Sequence, residues 1–280
     1  MTEINPALLG YQGNIDSIKS SLPAEAVDNP YNIINVETAK DIGEIAKKEI
    51  GTMPFRVATA GYSAPPEGYE ASTKEFLTMF KNELGARSTA FVTSPTADAG
   101  SIDAITTETA GLNKGSLFYV TSQNYVKYIN PNNFPNTIDT ASYSKFPKYV
   151  LPDNEEYSKA TAEASNVFLS TGGRNTTVND FVNALKKGNK AIVLNNTSID
   201  TPAWGEAKNR VENASAYLTA QINAFNEGEP LPYPEVGEFT LGFMQDNKDK
   251  LNQLVKLVEM DGNDAQSIRQ ASKQAAQFVQ

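Results

Sequence analysis

From Phe55 onward, short apolar runs alternate with longer stretches in which apolar residues recur every three or four positions. Phe55-Arg56-Val57-Ala58-Thr59-Ala60 reads as a strand that stops at Gly61. Tyr69 to Leu84 then places Phe76, Leu77, Phe80 and Leu84 on one helical stripe, and Gly85 supplies a C-cap. Ala90 to Thr93 is the next strand, Ser101 to about Lys114 a helix ended by Gly115, and Ser116 to Thr121 a third strand. The rhythm resumes with a helix over Glu155–Ala164, a strand over Asn166–Leu169, a helix over Thr177–Lys187 and a strand over Lys190–Leu194. Strands that alternate with helices at this spacing predict an α/β fold, a Rossmann-like doubly wound parallel sheet of five or more strands.

The flanks read differently. Residues 1–51 are expected to form an N-terminal helical extension. It would hold a short helix over Asp16–Leu22 and a better one over Thr38–Ile50, with Ile42, Ile45, Ala46 and Ile50 on one face and a break at Asn29-Pro30. Residues 52–196 form the nucleotide-binding domain in this reading, and 197–280 a C-terminal helical segment packed on it. Within that segment Trp204 to Phe225 carries Ala207, Val211, Ala214, Leu218, Ile222 and Phe225 at helical steps. Leu231-Pro232-Tyr233-Pro234 interrupts, and Phe239–Met260 and Asp264–Phe278 read as two further amphipathic helices. Inside the domain, Ser122 to Asp153 breaks the alternation with Pro131, Pro135, Pro147 and Pro152. A loop of that length suggests a lid or a partner surface.

Composition narrows the chemistry. The 280 residues, 40% hydrophobic and 20% charged, have the balance of a globular chain. There is no Cys and no His, which excludes disulfides, thiolate nucleophiles, Ser-His-Asp triads and ordinary zinc sites. No cofactor and no metal site is expected, although oxygen ligands leave room for a hard cation such as magnesium. A net charge of −9 opposes a nucleic-acid-binding face, although backbone amides can still hold a small phosphate in an acidic protein. No apolar run reaches the roughly 20 residues of a membrane span. The start, Met1-Thr2-Glu3-Ile4-Asn5-Pro6, lacks the basic and apolar stretches of a secretory signal, so a cytoplasmic protein is expected.

In open parallel sheets, ligands sit beyond the carboxyl ends of the strands, and three predicted strand-end turns have suitable residues. Thr59-Ala60-Gly61-Tyr62-Ser63 offers a glycine turn and the Ser63 hydroxyl, though a plain tight turn would look the same. In Thr93-Ser94-Pro95-Thr96-Ala97-Asp98-Ala99-Gly100-Ser101, the amides of the following helix could meet a phosphate beside Thr96, Gly100 and Ser101. Equally, Ser101 could cap its own helix, with Asp98 and Asp103 as surface or capping residues. The third turn, Ser170-Thr171-Gly172-Gly173-Arg174-Asn175-Thr176-Thr177, is the strongest. A glycine pair between strand and helix presents free N–H groups to an anion, the Thr176 and Thr177 hydroxyls follow, and Arg174 adds charge or stacks on a base.

Those three turns in that order resemble the LOG family, the lysine-decarboxylase-like proteins that include cytokinin-activating phosphoribohydrolases, and the wider SLOG nucleotide-sensing group. Gly61 and Ser63, then Gly100-Ser101, then Gly172-Gly173-Arg174-Asn175-Thr176 stand where the family has its Gly/Ser loop, its second glycine loop and its Pro-Gly-Gly-x-Gly-Thr-x-x-Glu-like motif. The resemblance spans roughly residues 52–196. The chain departs from the pattern at Asn175, where the family has glycine, and at Val178 and Asn179, where the family's acidic residues fall. Asp180 lies one step further on. The family's Arg-Lys pair has no counterpart around Asn124-Tyr125-Val126-Lys127.

The resemblance implies a nucleotide-type small-molecule ligand and a homodimer formed through flanking helices, with neither nucleic acid nor membrane as partner. Three functions compete. In the first, the domain binds or senses a nucleotide-derived phosphate ligand without turning it over. In the second, a diverged nucleoside 5′-monophosphate phosphoribohydrolase uses Asp180 or Glu108 as the carboxylate for N-glycosidic hydrolysis. In the third, a structural or interaction protein has kept the fold and lost the pocket.

Overall fold

Eight parallel strands form one sheet in the order β1-β5-β4-β3-β2-β6-β7-β10. The strands are β1 (Ile33–Asn35), β2 (Phe55–Ala60), β3 (Thr89–Thr93), β4 (Leu117–Ser122), β5 (Lys148–Leu151), β6 (Val167–Ser170), β7 (Lys190–Asn196) and β10 (Val255–Met260). This computed structural model describes residues 31–96 and 98–280, so the helix expected over Asp16–Leu22 and the break at Asn29-Pro30 lie outside the described residues. Among the described residues no helix is long and apolar enough to cross a membrane.

Alternation along each central strand divides its side chains between two cores. Ala58, Val92, Phe118, Phe168 and Val193 face one layer of helices. Val57, Phe91, Tyr119, Leu169 and Ile192 face the other. The first layer holds α1 (Ala39–Glu49), α5 (Asn154–Ala164), α6 (Asn175–Lys187) and α7 (Ala214–Glu227). The second holds α2 (Tyr69–Leu84), α3 (Ile102–Ala110) and α10 (Ala265–Val279). Strands covered on both faces read as the near-continuous apolar runs seen in the sequence.

The elements between Phe55 and Asn196 follow the expected alternation, and α2 ends at Gly85 as predicted. The helix expected over Thr38–Ile50 is α1, started by the Thr38 hydroxyl, which accepts from the Asp41 amide at 3.3 Å. The 122–153 segment is less irregular than its prolines suggest. It contains 3₁₀ turns at Gln123–Tyr128 and Pro131–Asn133, the short helix α4 (Thr140–Lys145), and β5.

Beyond Asn196 two expected helices are overturned. Trp204 to Phe225 is not one helix: Trp204–Gly205 (β8) pairs antiparallel with Arg210–Val211 (β9), and α7 begins only at Ala214 with Asn213 as its cap. Phe239 to Met260 breaks into α8 (Leu241–Asp246), α9 (Lys248–Leu254) and the strand β10, which lies parallel to β7 at the sheet edge. With β1 at the opposite edge, two strands from outside 52–196 complete the sheet.

Candidate functional site

The chain runs outward from β2 through β3, β4 and β5, then returns to place β6 on the other side of β2. The turns after β2 and β6 therefore leave in opposite senses and open a crevice at the sheet's topological switch point, where open α/β sheets bind ligands. A cleft of about 410 Å³ lies there, within the range of ordinary small-molecule sites.

The floor is built by close backbone approach. Thr171 N–H donates to the Ala60 carbonyl at 2.9 Å, and the Tyr69 hydroxyl and Thr171 Oγ1 are 2.7 Å apart. A side chain at Gly61 would fall on those two oxygens, so the glycine of the first turn serves this packing. Gly173 has φ +89° and comes within 2.7 Å, measured from an added Cβ, of the Gly61 carbonyl oxygen. Its own carbonyl accepts from the Ala214 amide at 2.8 Å, which ties the turn to α7.

The second turn is satisfied internally. Ser101 Oγ accepts from the Ala104 amide at 3.2 Å, and the Ile102 amide donates to the Tyr62 carbonyl at 2.9 Å. Ser101 thus caps its own helix, and two N-terminal amides of α3 are spent on protein oxygens. Thr96 Oγ1 donates to Asp103 at 2.6 Å. At the start of α6, Arg174 occupies the cap position and no side-chain oxygen among the described residues caps the helix; the Thr177 amide donates to the Arg174 carbonyl at 2.9 Å, and the Asn175 and Thr176 amides remain.

Of the residues singled out in the sequence, Gly61, Ser63, Thr96, Ser101, Gly173, Arg174, Thr176, Thr177 and Asp180 line the cleft together. Four stand apart from its lining. Gly100 sits in the turn before Ser101 with φ +77°, beside the Glu70 carboxylate. Gly172 packs on the ring of Tyr62. Asn175 turns away, its Oδ1 accepting from the Val211 amide at 3.1 Å, and so fastens the β8–β9 hairpin. Glu108 lies on α3, paired with Lys74 at 2.6 Å.

Residues that the sequence did not single out as site residues add to the walls, among them Tyr62, Asp98, Asp103, Tyr125, Tyr128 and Tyr157. Asp103 faces inward rather than serving as a surface or capping residue. It accepts from Thr93 Oγ1 at 2.8 Å and the Ser94 amide at 3.1 Å as well as from Thr96. The hydroxyl-rich run Thr93-Ser94-Pro95-Thr96 ahead of an Asp in the first turn of a helix was the available signal. The tyrosines of the 3₁₀ turn Gln123–Tyr128 had none, because only the tertiary fold brings that segment over the cleft.

Burial governs the titration of both inner carboxyls. Asp103 is pushed up to about 6 by burial, against the lowering effect of Thr96, Thr93 and the Ser94 amide, with the charge of Asp98 adding to the rise. Asp180 is pushed up to about 7 by burial, opposed by the Ser158 hydroxyl that donates to it at 2.6 Å, while the charge of Asp103 adds to the rise. Tyr125 is also raised, by burial first and then by the charges of Asp180, Tyr128 and Asp103. Tyrosine faces thus flank the two carboxyls. Among the described residues the lining bears one cation, Arg174, whose Nε–H donates to Glu212 at 3.2 Å. Chemically, the cleft offers hydrogen-bond acceptors on its inner wall, aromatic faces beside them, and an uncapped helix start with an arginine at one end. A scan against protein-family models finds no match for the chain, and a search of curated proteins finds none either.

Proposed function

We propose that the cleft binds a nucleotide-type ligand, with a phosphate at the start of α6 and the base and ribose toward the tyrosines and aspartates. The observation that carries this reading is the convergence of the β2 and β6 turns at the switch point, with the uncapped α6 N-terminus and Arg174 at one end of a cleft of nucleotide size. Buried carboxylates at the other end suit the donor groups of a ribose or a base amine. Tyr125, Tyr128 and Tyr157 supply faces on which a base can stack. The likeness of the three turns to LOG proteins belongs to the same proposal, as do the cytoplasmic setting and the homodimer that it implies. Sedimentation or light scattering in solution tests the dimer.

The direct test is a thermal-shift and calorimetric screen over nucleoside phosphates, ADP-ribose derivatives and inorganic phosphate. A ligand held here should add about 2–3 kcal/mol of stability at about a hundredfold excess over its dissociation constant. If no nucleotide shifts the melting point, the reading fails and a purely structural role takes its place.

The place of Asp180 favours a second reading, N-glycosidic hydrolysis of a nucleoside monophosphate. Asp180 lines the cleft and is pushed up to about 7, the range of a general acid or base at neutral pH. Assaying free base from AMP and IMP at high protein concentration tests it, and absence of release sinks it.

A further inference from the structure

Charge is unevenly spread along the cleft. Asp98, Asp103 and Asp180 are in the lining, whereas Arg174 supplies a cation at one end. There the β8–β9 hairpin brings Lys208 Nζ and Arg210 Nε to 3.2 and 2.9 Å from Glu212 Oε1, while Arg174 Nε holds the other oxygen of the same carboxylate at 3.2 Å. Three cations share one anion. Even counting Glu206, which is exposed on the same hairpin, the group is net positive in a chain whose total charge is −9.

The arrangement also has a direction. The Glu212 side chain is 12% exposed, against 61% for Lys208 and 38% for Arg210, so the cations face solvent and their shared anion lies beneath them. The Tyr62 hydroxyl supplies an independent observation. Tyr62 lines the cleft at 5% exposure, and its buried hydroxyl has no hydrogen bond of normal geometry among the described residues, only a weaker side-chain interaction with Thr201. Burial holds it up at about 12, with Thr201 and then Arg174 acting to lower it and Glu212 to raise it. A buried hydroxyl without a full hydrogen bond is costly unless it meets an acceptor, and a phosphate oxygen beside Arg174 would be one.

We propose that the hairpin provides a second phosphate subsite, so that the cleft selects a nucleoside diphosphate, or a larger ligand bearing a diphosphate, over a monophosphate. This rests on the nucleotide-binding reading above and extends it. One phosphate at the α6 start engages Arg174 and the first-turn amides. The next phosphate along the chain then meets Lys208 and Arg210, which have no other anionic partner than Glu212 among the described residues. Glu212 need not be stranded, because the ligand adds charge of the sign that the cluster lacks. The opposite orientation would press the phosphates against Asp103 and Asp180, a like-charge contact in a partly buried site.

Calorimetric titration of the full chain with AMP and ADP at matched ionic strength tests the proposal. The expected result is ADP binding at least about tenfold tighter than AMP, as one charge-assisted contact suffices to give. In the Lys208→Gln/Arg210→Gln double variant, with its fold checked by circular dichroism, the ratio should fall to about one. If the wild-type protein binds AMP and ADP equally, or the variant keeps the full ADP preference, the second subsite is wrong while the nucleotide site stands. If neither ligand binds the wild-type protein, the nucleotide reading fails and the subsite with it.

Discussion

The ring of Tyr62 packs against Gly172, in the space that a side chain at position 172 would need. A Cβ there would come within 2.9 Å of Cδ2 and 3.1 Å of Cζ of that ring, and Gly172 has φ +130°. The contact locks the turn after β2 to the turn after β6, the two that frame the cleft. Gly172→Ala combines an unfavourable backbone angle with overpacking and should destabilise the protein by about 3 kcal/mol in urea unfolding. Tyr62→Ala should itself be destabilising, and in the double variant the clash is gone. A double-mutant cycle should therefore show a coupling of about 1 kcal/mol or more, whereas strictly additive costs would mean that the ring does not dictate the glycine.

Asp180 makes the fold sensitive to pH in a definite direction. Its carboxyl is raised from the ordinary 3.8 to about 7, chiefly by burial. The folded chain therefore holds a proton that the unfolded chain has released, and stability falls as pH rises from about 4 to about 7. Full ionisation would cost on the order of 4 kcal/mol. The melting temperature should decline over that window, and Asp180→Asn should flatten the decline. The same variant should abolish base release if the cleft is hydrolytic, whereas Glu108→Gln, altering a half-exposed pair with Lys74 outside the cleft, should leave release unchanged. A melting temperature that rises through the window would contradict the assignment.

The central strands and the first cleft turns were legible because each uses local rules. A buried parallel strand reads as an apolar run, and Gly61 and Gly173 mark sharp turns at strand ends. The pattern is ambiguous where two periods coincide. In β10, Val255, Val258 and the preceding Leu251 and Leu254 fit a helical stripe, yet Val255-Leu257 and Val258-Met260 also alternate as a strand needs. No glycine or proline separates Leu254 from Val255. In 204–225 the spacing of Ala207, Val211 and Ala214 continues that of the true helix α7. Only Gly205, Asn209 with φ +46° and Asn213 betray the hairpin and the helix start. Asp103 is not legible as a site residue because its partners, Thr93, Ser94 and Thr96, lie in the preceding strand end and turn, and the sequence does not show that the helix folds back onto them.

Lys148 has no cavity role and holds the 131–147 segment in place. It is fully buried in β5, and its Nζ donates to the Tyr143 carbonyl at 2.5 Å and the Phe146 carbonyl at 2.7 Å while lying 4.1 Å from the centre of the Tyr143 ring. Tyr143 in turn donates its hydroxyl to the Pro95 carbonyl at 2.6 Å, in the second cleft turn. Lys148→Ala removes the stem, takes the ammonium from the Phe146 carbonyl and leaves the Tyr143 carbonyl with only the Phe146 amide, and should cost about 3 kcal/mol. Lys148→Met refills the volume without the donors and should recover part of that loss. Burial without a carboxylate lowers the ammonium to about 7, so the folded chain binds fewer protons than the unfolded one between about 7 and 10.5. Wild-type stability should therefore gain from this group as pH rises through that range, and Lys148→Met should lose that gain.

Arg174 and Glu212 should affect ligand binding in opposite directions. Arg174→Ala deletes the cation that lines the cleft and should weaken AMP binding by about tenfold, the worth of a charge-assisted contact, with Arg174→Lys restoring only part because it loses the planar fork. Glu212→Gln leaves the surrounding residues in place but removes the negative charge shared by Arg174, Lys208 and Arg210. Anion binding should then tighten at low salt and become more salt-dependent, since the three cations are no longer partly neutralised. Folding stability should fall, because the cations repel one another without the carboxylate. Calorimetry at two salt concentrations, paired with urea unfolding, separates the effects. If Glu212→Gln weakened binding at low salt by as much as Arg174→Ala does, the carboxylate would be needed to orient the arginine rather than to balance its charge.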